Sequence, residues 1–258
     1  MHETPSTNVP RRSAQTLRPV FDAAWDASQA ADGREDITAV FFELADWRPW
    51  LDTAAGLLDD AERGRVGRKQ RPGDRDELAL TYALHRLVLG RALRTEPGLV
   101  PLRRDAAGRP CLPDDELHTS LSHADGVVAV VVSRHGAVGV DIERATRAAD
   151  MNAIAERVWD PNEACSLIGL PQTQQAAALL ELWVRKEALL KAAGIGLALE
   201  MNSFPAPADQ EVTLPAASGA RAIIRMLDIG PAYVAAIAVA SVPMPAIRSC
   251  WLQPEDPD

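Results

Sequence analysis

Residues 127–143 read Val-Val-Ala-Val-Val-Val-Ser, then Arg-His-Gly-Ala, then Val-Gly-Val-Asp-Ile-Glu. Two β-rich runs, Val127–Ser133 and Ala137–Glu143, flank a short turn, and the second ends in carboxylates rather than in another apolar pair. Outward from this stretch the chain repeats itself in kind. Toward the amino terminus lie a strand signal at Ile37–Leu44 and a helical block over Leu57–Arg94. In that block Leu80, Leu84, Leu87 and Val88 recur at spacings of three and four. Shorter strand signals follow at Leu99–Arg103 and Leu117–Ser122. Toward the carboxyl terminus, Asp160-Pro161 opens a short helix through Ile168, because an acidic N-cap and a proline at the first helical position suit a helix start. Thr173–Ala193 is a long helix ended by Gly194, and strands return at Arg221–Leu227 and Tyr233–Val239. The regular strand–helix alternation of a parallel sheet is missing. The pattern predicts an α+β fold of two similar halves, each a small antiparallel sheet packed with helices. A loose extension is expected over 1–36, an N-terminal half over 37–139 and a C-terminal half over 140–258.

The chain has 258 residues, 47% hydrophobic and 24% charged, enough for a substantial core. No apolar run approaches the roughly 18 residues of a membrane span, and the first 19 residues are polar, so a cytoplasmic protein is expected. Cys111, Cys165 and Cys250 are widely spaced and odd in number, which argues against a disulfide framework or a zinc site. A net charge of −9 excludes a uniformly basic nucleic-acid coat. The charge is uneven, however. Between Ala61 and Arg109 stand twelve basic residues, eleven of them Arg, against six acidic ones. This run reads either as a solvated helix face or as a cradle for a small polyphosphate.

Three places carry possible chemistry. Asp141 and Glu143, two residues apart on a strand, point to the same face with head groups about 6–7 Å apart. At that distance they repel by roughly 2–3 kcal/mol at an effective dielectric near 20. Such a pair is either a charged turn balanced by Arg144 and Arg147, or a site for a metal ion. On the long helix, Trp183, Glu187 and Lys191 share one face. Surface Glu–Lys pairs at this spacing are common, but this chain has 24 Arg and only three Lys, and Lys186 and Lys191 are two of the three. A compact, flexible charge suits contact with a reacting phosphate better than a planar fork does. Third, Ser122-His123 closes a strand, and His123 reads as a turn residue, a phosphate binder or an acid–base group. No nucleophile elbow, Walker loop or dinucleotide glycine run is present.

Taken in order, Gly108-Arg109-Pro110, Ser122-His123, Gly139-Val140-Asp141-Ile142-Glu143, Trp159 with Glu163, and Trp183…Lys186-Glu187-Ala188…Lys191 with Gly194 resemble the 4′-phosphopantetheinyl transferases of the surfactin-synthetase-activating type. The resemblance spans roughly residues 57–204. It implies a pseudo-twofold α+β enzyme that uses coenzyme A as substrate and Mg²⁺, or Mn²⁺, as cofactor. The phosphopantetheine arm goes to an acyl or peptidyl carrier protein of a fatty-acid, polyketide or nonribosomal peptide synthase. By motif position, Asp141, Glu143 and Glu187 fall on metal ligands and Lys191 on the diphosphate contact. His123 falls on a phosphate-binding position, with Ser122, Arg109 and Lys186 also on the coenzyme side. Arg65, Arg68 and Arg71 lie where basic residues hold the adenosine 3′-phosphate. Glu187, Lys191 and His123 form the implied catalytic set. Arg109 stands in place of a lysine and Trp159 in place of a phenylalanine.

Two internal halves make a monomer sufficient, and neither a nucleic-acid nor a membrane partner is expected. The segment Gly194–Phe204, with Ile195, Leu197, Leu199 and Met201 alternating, is expected either to dock the carrier or to be a buried connector. Two alternatives stand beside this reading: a Mg²⁺-dependent nuclease or phosphohydrolase, and a carrier-binding protein without turnover.

Overall fold

The computed structural model describes residues 16–28, 36–114, 116–215 and 219–255. In chain order the principal elements are α1 (Leu17–Ala27), β1 (Ile37–Glu43), α2 (Asp60–Gly67) and α3 (Pro72–Leu93), then β2 (Arg103–Arg104), β3 (Pro110–Cys111), β4 (His118–Ala124), β5 (Val127–Ser133) and β6 (Val138–Arg144). They continue with α4 (Pro161–Ile168), α5 (Gln172–Ala193), β7 (Glu211–Thr213), β8 (Arg221–Leu227), β9 (Tyr233–Val239) and β10 (Ile247–Trp251).

The expected α+β fold is what the chain adopts. One sheet has the order β10-β1-β5-β4 and the other β6-β9-β8-β7. Three strands in each repeat one scheme: strand, two helices, then two strands, with the last strand placed between the other two. In the first sheet that gives β1-β5-β4, and in the second β6-β9-β8. All these pairings are antiparallel, and among the described residues only β10 runs parallel to its neighbour, β1.

Alternation along the strands explains how the layers stack. Ile37, Ala39 and Phe41 of β1 and Val127, Ala129 and Val131 of β5 share one core with Val138, Val140 and Ile142 of β6 and Ala235, Ile237 and Val239 of β9, so the sheets meet face to face. The opposite faces take the helices. Val40, Phe42, Val128 and Val130 pack with Leu80, Leu84, Leu87 and Val88 of α3, whereas Ala222, Ile224, Ala236 and Ala238 pack with Leu182, Ala188, Leu189 and Ala192 of α5. The order is helix, sheet, sheet, helix, which is why both central strands read as unbroken apolar runs.

Several expectations are corrected. Within the stretch 1–36 expected to be loose, Leu17–Ala27 is an amphipathic helix that buries Leu17, Val20, Phe21, Ala24 and Trp25 in the first core. Residues 1–15 and 29–35 lie outside the described residues. The helical block 57–94 is two helices. Pro72 takes the first position of α3, and a proline disfavours helical geometry in the residue before it, here Arg71. Leu99–Arg103 is not a strand; Pro97–Leu99 forms a 3₁₀ turn, and only Arg103–Arg104 pairs, with Pro110–Cys111. Pro97 and Pro101 remove the backbone donors that a longer strand needs. The acidic N-cap at Asp160 is confirmed as a full capping box with Glu163.

Candidate active site

β4 and β6 are edge strands of different sheets, and their seam is joined by side chains. Ser120 Oγ accepts the Val140 N–H at 3.1 Å, and Ser122 Oγ donates to Asp141 Oδ1 at 2.7 Å. From above the seam α5 delivers Lys191. Its Nζ donates to Asp141 Oδ1 at 2.7 Å, to Ser122 Oγ at 2.8 Å and to the Val140 carbonyl at 3.0 Å. Gly139 permits this approach. A Cβ there would lie 2.0 Å from the Ala188 carbonyl oxygen and 2.5 Å from the Ala192 nitrogen. The Gly-Val-Asp-Ile-Glu run thus combines a bare backbone patch for the helix with two acids just beyond it.

Those acids are buried. Asp141 is 4% exposed and its Oδ2 has no hydrogen-bond partner among the described residues; Glu143 is 6% exposed. Desolvation and the neighbouring Asp141 charge push Glu143 up to about 7, against the pull of Arg147 and Lys191. Glu187 is also raised, first by desolvation and then by Asp141. Arg147 pairs with Glu143 Oε1 and lies over the Trp183 ring at 4.9 Å. Among the described residues no three His, Cys, Asp or Glu side chains are gathered closely enough to hold a metal as they stand. A carboxylate set with one orphaned buried oxygen and two acids raised by crowding and burial nonetheless matches a hard cation with oxygen ligands. Asp141, Glu143 and Glu187 would be the residues to hold one.

His123 is exposed near the end of β4, two residues before the tight Asp125-Gly126 turn in which both φ values are positive. Desolvation, followed by the Lys191, Lys69 and Arg104 charges, holds its imidazole below the ordinary range. That coupling connects the seam to the basic run of the first half. There Arg65 and Arg104 lie over the ring of buried Tyr82 at 5.5 and 5.0 Å. Arg65 Nε, Arg104 Nε and Arg104 Nη2 are buried without hydrogen-bond partners among the described residues. Unsatisfied guanidinium donors beside one another call for an anion. Arg68 and Arg71 are exposed, with no side-chain bond tying them to this place among the described residues. Lys69 belongs to the basic run already read as a possible polyphosphate cradle, whereas Arg104 and Tyr82 escape sequence reasoning, since one arginine among twenty-four carries no mark of its burial.

Two residues expected on the coenzyme side are otherwise engaged. Lys186 is fully buried, donating to the Met201 carbonyl at 2.8 Å and the Phe204 carbonyl at 2.7 Å and pairing with Glu163 at 2.6 Å. Its side chain is 0% exposed, whereas that of Lys191 is 25% exposed, so Lys186 is corrected from a coenzyme contact to an internal tie. Glu163 completes that tie by accepting the Asp160 and Ala206 N–H groups. Arg109 binds Asp105 at 3.1 Å and reaches the end of α5, donating to the Ala192 carbonyl at 3.5 Å. Its guanidinium packs on Gly194, where a Cβ would lie 2.7 Å from Arg109 Cζ. Of the expected docking ridge, Met201 is buried, 5% exposed, and the side chain of Leu197 lies outside the described residues.

Comparison with known proteins bears on this geometry. The profile of the 4′-phosphopantetheinyl transferase superfamily matches residues 137–237, the stretch that carries both acids, Glu187 and Lys191. The 4′-phosphopantetheinyl transferase HetI of Nostoc sp. is 30% identical over 222 residues, covering 80% of this chain and 91% of the relative. This chain belongs to the 4′-phosphopantetheinyl transferase family. Sfp of Bacillus subtilis is 26% identical over 73% of the chain and 85% of its own length. For psf-1 of Bacillus pumilus the figures are 35%, 70% and 72%. As a phosphopantetheinyl transferase the protein is an enzyme acting between coenzyme A and carrier proteins. Among the described residues no helix is long and apolar enough to cross a membrane.

Proposed function

We propose that this transferase moves the 4′-phosphopantetheine arm of coenzyme A to a serine of an apo acyl or peptidyl carrier protein, in the cytoplasm, as a monomer and with Mg²⁺. The observation that carries the reading is the Asp141–Lys191–Ser122 junction, where a cation and an orphaned carboxylate oxygen share one seam. The two internal halves supply both sides of that seam, which supports a monomer as sufficient.

The carrier serine oxygen bonds to the β-phosphorus of coenzyme A, and the bond from that phosphorus to the bridging oxygen breaks. 3′,5′-ADP leaves with the electron pair. Glu187, whose carboxylate is made more basic by desolvation and by Asp141, takes the serine proton. Lys191 holds negative charge on the diphosphate oxygens, and His123 donates to a phosphate oxygen at the rim. Arg65 and Arg104, with Lys69 near His123, receive the 3′-phosphate with donors that are unsatisfied in the free protein. Asp141, Glu143 and Glu187 would hold a divalent cation, which would supply neutralisation of the diphosphate and alignment for in-line displacement.

Intact-mass spectrometry of an apo carrier incubated with the protein, coenzyme A and Mg²⁺ tests this reading. It expects a gain of about 340 Da, the added phosphopantetheine arm, abolished by EDTA and by Asp141→Asn. No gain with fatty-acid, polyketide or peptide carriers overturns it and leaves a carrier-binding protein without turnover.

A further inference from the structure

Each of the two buried acids on β6 has its own internal cation, and the two cations are held differently. Lys191 meets Asp141 through Oδ1 and leaves Oδ2 free of partners among the described residues. Arg147 meets Glu143 from a 3₁₀ turn, Ala145–Arg147, that directly follows β6. Its guanidinium also rests on Trp183, one helical turn before Glu187 on α5. One side chain therefore spans from the β6 acid to the helix face that carries Glu187. Arg147 retains 35% side-chain exposure and lines a cavity of about 480 Å³ with Asp125, Thr146, Asp150, Met151 and Ile154. That cavity offers both room for the guanidinium and two further carboxylates to receive it.

We propose that Arg147 is a latch on the ion site: it occupies Glu143 as an internal counter-cation while no divalent ion is held, and must leave Glu143 before the carboxylate can serve one. The proposal rests on the reading of Asp141, Glu143 and Glu187 as ion ligands. Its physical basis is competition. A buried carboxylate needs a compensating cation whenever it is charged, and a guanidinium seated on an aromatic face supplies one at little entropic cost. An incoming ion must displace that charge, so the latch weakens binding by the strength of the pair it breaks. Asp141, open at Oδ2, gives the ion its first contact; Glu143 follows once Arg147 swings toward Asp125 and Asp150.

The test is a Mn²⁺ titration of the full chain, without coenzyme A or carrier, following free Mn²⁺ by electron paramagnetic resonance. Arg147→Met keeps the aliphatic stem, removes the competing charge and is expected to bind Mn²⁺ about tenfold more tightly than the unmodified protein. Trp183→Leu removes the seat while keeping the charge and is expected to tighten binding by a smaller factor. Asp141→Asn is expected to abolish binding in either background. Unchanged or weaker binding in Arg147→Met, with Asp141→Asn still abolishing it, overturns the latch and leaves the ion site standing. Binding by neither the unmodified protein nor Arg147→Met, both folded by circular dichroism, overturns the ion site and the latch together. Binding by Arg147→Met alone supports the latch.

Discussion

Lys191 on α5 and Asp141 on β6 meet at 2.7 Å, and they can do so because Gly139, two residues before the acid, lets the helix lie directly on the strand. The junction needs both halves of the molecule. Ser122 comes from β4 of the first sheet, Asp141 from the edge of the second, and Lys191 from the helix covering the second. A phosphate placed there meets a cation whose present partners are two side chains and one carbonyl.

Gly139→Ala is the sharpest test of that contact. The new methyl would meet backbone atoms of α5 at 2.0 and 2.5 Å, so the helix must move away. Overpacking of this kind costs about 1–3 kcal/mol. Urea melts should show the loss, and transfer should fall by more than the unfolded fraction explains, because Lys191 moves with the helix.

Arg104→Ala should raise the KM for coenzyme A by about 10–100-fold, the worth of charge-assisted hydrogen bonds to a phosphate. Dephospho-coenzyme A, which lacks the 3′-phosphate, should be used equally by the variant and the unmodified protein. Steady-state kinetics with both substrates decides this.

Lys186→Met should damage stability rather than coenzyme binding. It leaves Glu163 without its cation and the Met201 and Phe204 carbonyls without their donor. Breaking such a buried pair costs about 3–5 kcal/mol. The KM for coenzyme A of the folded fraction should hardly change; a large rise would restore Lys186 to the substrate site.

Glu143 is raised from 4.5 to about 7 by burial beside Asp141. A raised carboxyl favours the folded state while protonated, so this contribution is complete below about pH 4.5 and is lost as pH climbs through 7. The full amount is about 3 kcal/mol. In EDTA, Glu143→Gln should therefore be more stable than the unmodified protein at pH 8, with the gap closing near pH 5. Thermal melts across that range check it.

His85 behaves with the opposite sign. Fully buried and hydrogen-bonded to Thr119 Oγ1 at 2.9 Å, it is lowered to about 3, first by desolvation and then by Arg104 and Arg86. Its contribution is intact above pH 6.5 and lost as pH falls toward 3, amounting to about 2–3 kcal/mol by pH 4.5. His85→Gln should flatten the acid limb of the stability profile in urea melts.

The sequence by itself determined the strands and helices whose burial pattern is local. Val127–Ser133, buried on both faces, has to be an apolar run, and Asp160-Pro161 with Glu163 is a helix start wherever it lies. The ordered motifs, with Asp141, Glu143, Glu187 and Lys191 among them, placed the chain in its family before any contact was known. The docking of α1 and the parallel pairing of β10 with β1 stayed hidden, because they depend on surfaces more than a hundred residues away or on packing that periodicity does not encode. Tertiary structure alone separated the lysines. Lys186 and Lys191 sit five residues apart on one helix, yet their directions differ by well over a quarter turn. One points into the second core and is consumed there, and the other points to the seam, where an unpaired carboxylate oxygen is within its neighbourhood. Tertiary structure also selected Arg104 from a crowd of arginines, since its buried Nε and Nη2 without partners among the described residues reflect the fold around it and not its neighbours in the chain.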